Sequence, residues 1–164
     1  ESMGSVFQAI VDMGEIFELA EEANDMVRSI KAELEKISFR GLGGDHVNTF
    51  LATRVGNDLI AIGKNTFLND LLNIAGGKNI FTDPEQGFFP TTTAAVSVRK
   101  PEVIIELHPA EQNYPTETIR TLWKEETDIP AVAHQQIYSI TDDFVMNPSR
   151  VIDQTAKRLY EVLH

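Results

Sequence analysis

Gly63, Lys64, Asn65 and Thr66 bring a small residue, a cation, an amide and a hydroxyl into one short stretch, the residue types from which phosphate-binding turns are made. A Walker loop needs two glycines with four residues between them, followed directly by Lys and Ser or Thr, so that successive backbone N–H groups wrap the phosphates. Here Gly63 stands alone and Asn65 separates Lys64 from Thr66, so the nucleotide reading fails on spacing. The glycine-rich run at 41–44 fails as a dinucleotide fingerprint, because it precedes the apolar run at 47–54 instead of leading out of it into a helix. Catalytic groupings are also missing from the sequence. His46, His108, His134 and His164 have no metal-ligand spacing, there is no G-x-S-x-G elbow, and Asp142 and Asp143 are neighbours whose side chains diverge. With no cysteine, disulfides, thiolate zinc sites and a cysteine nucleophile are excluded.

What the stretch does spell out is a complete helix unit. Asn65 or Thr66 can cap the free N–H groups, Phe67, Leu68, Leu71, Leu72 and Ile74 supply a buried face, and Gly76 or Gly77 can take the left-handed C-terminal conformation. Around it, Leu19, Ala23, Met26, Val27, Ile30, Leu34 and Ile37 recur at three- and four-residue steps and predict one long helix over 19–37. Its acids lie in front (Glu21, Glu22, Asp25) and its bases behind (Arg28, Lys31, Lys36), as the helix dipole favours. A shorter helix over 5–18 precedes it, with a break at 18–20, and the glycine-rich segment 39–46 reads as a loop. Helical patterns follow at 66–75, 92–99, 115–126 and 149–163. Strands are expected at 47–54, 103–107, 131–133 and 137–140. Strands alternating with helices predict an α/β domain, a three-layer Rossmann-like lobe with a mostly parallel sheet, whose ligands sit at the carboxyl ends of the strands.

At 164 residues the chain suits one domain. Its 25 acidic and 14 basic residues leave a net charge of −11, which repels phosphate backbones and anionic lipid, so nucleic acid and membrane surfaces are poor partners. No run of eighteen apolar residues is present, and the first residues lack the basic-then-apolar layout of a signal peptide. The sequence opens in a helical pattern with no strand before it, as a piece of a longer protein would.

Three stretches, GKNTFLNDLLNIAGGKNIF, FFPTTTAAVSVRKPEVIIEL and IPAVAHQQIYSITDDFVMNPSRVIDQTAKRLYEVLH, occur in that order. Together they resemble the C-terminal lobe of substrate-binding proteins of ABC importers for iron-siderophores, haem and cobalamin. ELAEEANDMVRSIKAELEKI resembles the rigid helix that joins the two lobes of that family. The resemblance implies a division into residues 1–37, a helical segment including the interlobe helix, and 38–164, a C-terminal α/β lobe whose N-terminal counterpart is absent. It implies an extracytoplasmic, non-enzymatic protein without cofactor, which holds a metal chelate between two lobes and delivers it to a membrane permease. A ligand-sensing or interaction module on the same lobe is the alternative. Self-association of the isolated lobe, through the surfaces that the other lobe would cover, is also expected.

The residues expected to meet the ligand are Lys64, Asn65 and Thr66 in the segment 58–66, read as the loop after the first strand; Phe88, Phe89 and Thr91 at the FFP turn; His108; and Asp142 and Phe144. All are expected to gather at the carboxyl edge of the sheet. Aromatics can lie flat on a macrocycle, Lys64 can meet an anionic group, and Asn65 and Thr66 can donate hydrogen bonds. Each also has a purely structural reading: a solvated lysine, one core phenylalanine of the pair, a hydrogen-bonded strand-end histidine, an Asx turn at 142–143. In the resembled family a glutamate docks on permease arginines. Counting back from Pro101 places Ala94 there, with Asp83 and Glu85 as nearby acids that could replace it.

Overall fold

The computed structural model describes residues 2–41, 46–112 and 114–164. Two helices open it. In α1 (Met3–Ile16) the Ser2 hydroxyl accepts from Ser5 N–H at the N-terminus, and the chain reverses through Glu18, at φ +58°. α2 (Ala20–Gly41) then buries Ala23, Val27, Ile30, Leu34 and Ile37 of the expected stripe, whereas Leu19 precedes the helix and is 50% exposed and Met26 is 38% exposed. This helix ends at Gly41 and not at 37, so Phe39, Arg40 and Gly41 are helical where a loop was expected, and a division at 37/38 falls inside α2. The rest of the glycine-rich run, 42–45, lies outside the described residues.

The sheet runs in the order β4-β2-β1-β5-β6. β1 (Val47–Val55), β5 (Val103–Leu107) and β6 (Ile137–Ile140) are parallel neighbours. Between β1 and β5 come β2 (Asp58–Ile62), antiparallel to β1, and two short strands, β3 (Gly77–Asn79) and β4 (Phe88–Pro90). β2 and β3 share one flank of β1: β2 pairs with residues 52–55 and β3, in parallel, with residues 47–49. Asn79 holds this fork. Its amide donates to Ile62 O (2.7 Å) and Asn69 Oδ1 (3.1 Å), and its carbonyl oxygen accepts from Phe81 N–H (2.9 Å).

Alternate residues of the central strands feed two apolar layers. Leu51, Ile105 and Leu107 pack beneath α1, α2, α3 (Phe67–Ile74) and α7 (Ile152–Leu163). Phe50, Ala52 and Ile104 pack on the other side with Val96 of α4 (Thr93–Arg99), Ile119 and Trp123 of α5 (Thr116–Trp123), and Ala131 of α6 (Pro130–Ala133). The expected three layers and mostly parallel sheet are therefore present. Four elements differ from expectation. Residues 77–79 form β3, and residues 88–90, read as a turn, form β4. Residues 131–133 form α6 and not a strand, because Pro130 opens a helical turn there. Residues 58–62 form β2 and not loop, after a two-residue turn with Gly56 at φ +60°.

Candidate functional site

β1, β5 and β6 end at one edge, and the loops that follow them carry the polar groups of this end of the sheet. Inside the edge lies a buried cluster that the sequence reading missed. Glu106, fully buried in β5, accepts two bonds from Arg54 of β1 (2.8 and 2.9 Å), one from Trp123 Nε1 (2.7 Å) and one from His108 Nε2 (3.2 Å). Burial pushes the Glu106 carboxyl up, yet the bonds from His108, Arg54 and Trp123 outweigh it and hold the group below the usual glutamate range. The sequence signal was available: a glutamate inside the apolar run VIIEL needs a buried partner, and Arg54 ends the neighbouring apolar run.

His108 is also fully buried, with the Tyr114 ring stacked 4.5 Å from its own, and Tyr114 donates to Gly56 O (3.3 Å) at the β1–β2 turn. It thus ties two loops of the edge together and offers no face to solvent. Asp142 follows β6 and accepts from Arg158 of α7 at 3.1 Å. Phe144, half-buried, packs in the layer of α1, α2, α3 and α7. Thr91 follows β4, its N–H bonded to Leu59 O (2.9 Å).

Lys64, Asn65 and Thr66 do not share that edge. Because β2 runs back along β1, Ala61 lies opposite Ala52, and the turn leaves the sheet midway along β1, where β3 takes over. Thr66 caps α3, accepting from Asn69 N–H (3.1 Å) and donating to Gly63 O (2.9 Å). Asn65 sits at φ +66° and donates to Glu85 O (3.2 Å), and Lys64 pairs with Glu85 at 2.7 Å. The segment 82–87 is strapped over this turn: Gly63 N–H donates to Gly87 O (2.8 Å), and a Cβ on Gly63 would lie 2.8 Å from Gln86 O. At its other end Asp83 pairs with Arg99 of α4 at 2.7 Å. The Arg99 bond lowers the Asp83 carboxyl and the Lys64 bond lowers that of Glu85.

Phe88 and Phe89 divide as adjacent strand residues must. Phe89 meets Phe81 edge-on in the core (5.5 Å), while Phe88 is 47% exposed beside the strap. The arrangement is therefore an aromatic and hydroxyl-lined flank, Phe88 and Thr91, between the strapped turn and the polar edge. Among the described residues no three His, Cys, Asp or Glu side chains are grouped to hold a metal ion. Ala94, in the first turn of α4, is exposed.

No family model matches the chain. A curated relative, an uncharacterized ABC transporter substrate-binding lipoprotein of Bacillus subtilis, is 24% identical over 167 residues, covering all of this chain and 51% of the relative. A possible iron-binding, periplasmic solute-binding protein of Staphylococcus epidermidis superposes with a TM-score of 0.88 at 21% identity, over the whole chain and 63% of that structure. The chain has the fold of ABC-importer substrate-binding proteins. An ABC-type Fe3+-hydroxamate transport protein of Saccharomonospora viridis gives 0.84 at 17% identity, over 99% of this chain and 56% of that one. The chain thus spans about half the length of the curated relative it matches and under two thirds of these solved structures.

Proposed function

We propose that the chain is the C-terminal lobe of an extracytoplasmic solute-binding protein, which holds a metal chelate of the iron-siderophore, haem or cobalamin class and delivers it to an ABC permease. The observation that carries this reading is a likeness running the whole length of the chain, at TM-score 0.88, to a protein with further length beyond it. A second feature supports a two-lobed parent. At the α1–α2 turn an apolar groove of about 420 Å³ is lined by Met13, Phe17, Leu19, Met26 and Pro148, with Phe17 69% exposed. Pro148 belongs to the loop that follows β6. A second lobe seated on this groove would cover it. Without it the same groove is the surface for self-association, and a monomer mass independent of concentration in sedimentation would refute that part.

The test is a titration of this chain and of the two-lobed polypeptide with haem, cobalamin and ferric siderophores, followed by ligand absorbance. Tight binding of one chelate by the two-lobed form, with weaker binding by this chain, is expected; no binding to any of them overturns the reading.

One observation favours the alternative of a sensing or interaction module. Ala94 offers no carboxylate, and the two acids that could replace it, Asp83 and Glu85, already pair with Arg99 and Lys64. Stimulation of a cognate permease ATPase by the loaded protein would exclude this alternative.

A further inference from the structure

The apolar groove at the α1–α2 turn carries one charge of each sign. Of the described residues that line it, Glu22 and Arg150 alone are charged, the first on α2 and the second on the loop before α7. Both are exposed, and among the described residues neither forms an ion pair. The chain as a whole is strongly acidic, at −11, yet Asp12, Glu15 and Glu21 stay out of the lining, because helical periodicity turns them to the far sides of α1 and α2. What remains is chiefly apolar, with Met13 56% exposed beside Phe17, Leu19 and Met26.

Such a surface complements itself. Each copy offers an aromatic knob, Phe17 at the end of α1, and a groove beside it large enough for a ring. In a two-fold contact both copies present the same patch, so a residue that meets a second residue on the partner is itself met in return. Glu22 can then face Arg150 of the partner subunit, and this pairing occurs twice. The exposed parts of Met13, Phe17, Leu19 and Met26, with the rim around them, come to roughly 600 Å² on each copy, and the pair buries about 1,200 Å², where specific interfaces begin. Apolar burial supplies the affinity, while the rim charges fix orientation, since like charges brought together there are costly. We propose that this chain forms a two-fold dimer through the groove, with Phe17 at its centre and Glu22 paired with the partner's Arg150 on both sides. The assignment rests on the self-association part of the reading above; a second lobe would take the partner's place, so the two-lobed polypeptide stays monomeric.

Sedimentation equilibrium of the chain, of Glu22→Arg and of Arg150→Glu, each alone and then mixed in equal amounts, tests it. The unaltered chain should pass from monomer to dimer mass as concentration rises. Either variant alone sets like charges against each other at both rim contacts and should dimerise at least about tenfold more weakly. Mixing the two should restore dimerisation, because the mixed pair carries opposite charges at both contacts. Phe17→Ser, at a ring that is exposed in the single chain, should abolish the dimer and leave the urea midpoint in place. A mixture that associates no more tightly than its parts, or a dimer that survives Phe17→Ser, overturns the assignment and leaves self-association standing. Monomer mass at every concentration removes both, and the chelate titration decides the binding-protein reading separately.

Discussion

Arg54 and Glu106 close a two-point ion pair across the neighbouring strands β1 and β5, with nitrogen–oxygen distances of 2.8 and 2.9 Å. The pair is almost wholly out of water, with side-chain exposures of 10% and 0%, so breaking it leaves an uncompensated charge in a low-dielectric interior. Glu106→Gln is expected to cost about 3 kcal/mol or more in urea unfolding. Replacing Arg54 and Glu106 together with methionine should recover much of that loss. A single substitution as mild as a surface change would mean that water reaches the pair.

The same carboxylate sets an acid limit. Its pKa is depressed in the folded state, so the stabilisation is complete above the unfolded value of about 4.3 and is lost as pH falls through the folded value. The urea midpoint should hold near neutrality and fall steeply below about pH 4, with a shallower fall in Glu106→Gln. Asp83 and Glu85 are also depressed but are exposed, and screening leaves them little weight in this limb.

Thr155 is fully buried in α7 and its hydroxyl has no hydrogen-bond partner among the described residues. Thr155→Val removes an unsatisfied polar atom at nearly constant shape. It should stabilise the fold by about 1 kcal/mol, read as a higher denaturation midpoint. A loss of stability would reveal a hydrogen bond to that oxygen.

Gly14 stands in α1 where it passes α2, and a Cβ there would lie 2.3 Å from the Cβ of Ala23. Helix propensity alone would reward Gly14→Ala by about 1 kcal/mol. The clash should win, costing about 1–3 kcal/mol as the helices are forced apart. A stabilised Gly14→Ala variant would show that this helical hairpin yields easily.

On the binding-protein reading proposed above, Phe88 and Phe89 separate binding from stability. Phe89→Ala opens a hole beside Phe81 and should cost about 3 kcal/mol. Phe88→Ala, at a half-exposed ring, should leave the unfolding midpoint almost unchanged while weakening chelate binding about tenfold. Equal stability losses would contradict this division.

The sequence was most readable where one signal dominated. The stripe of α2 and the cap-helix-glycine unit around α3 were legible because periodicity and capping act locally: Thr66 caps α3, and Gly76 takes φ +92°. It misled where a short apolar run suits either structure. Ala131–Ala133 is such a run, and only the proline before it decides for a helix. β2 went unread although Gly56-Asn57 between apolar runs is a hairpin signal. That omission moved Lys64, Asn65 and Thr66 to the wrong level of the sheet. The buried Arg54–Glu106 pair was hidden for a different reason, since its partners stand 52 residues apart and only the fold brings them together.

The fork on β1 bears on how the sheet is assembled. One flank of β1 is filled by nearby chain, first β2 through a two-residue turn and then β3. The other flank waits for β5, and Glu102, the residue just before it, meets Asn48 across a separation of 54 residues. Hairpins close in microseconds, whereas distant pairings must first overcome the entropy of a long loop. The β1–β2 hairpin and α3 should therefore form a nucleus onto which β5 and then β6 add. Pulse-labelled hydrogen exchange during refolding would show β2 amides protected before those of β6, and the reverse order would mean that the parallel core condenses first.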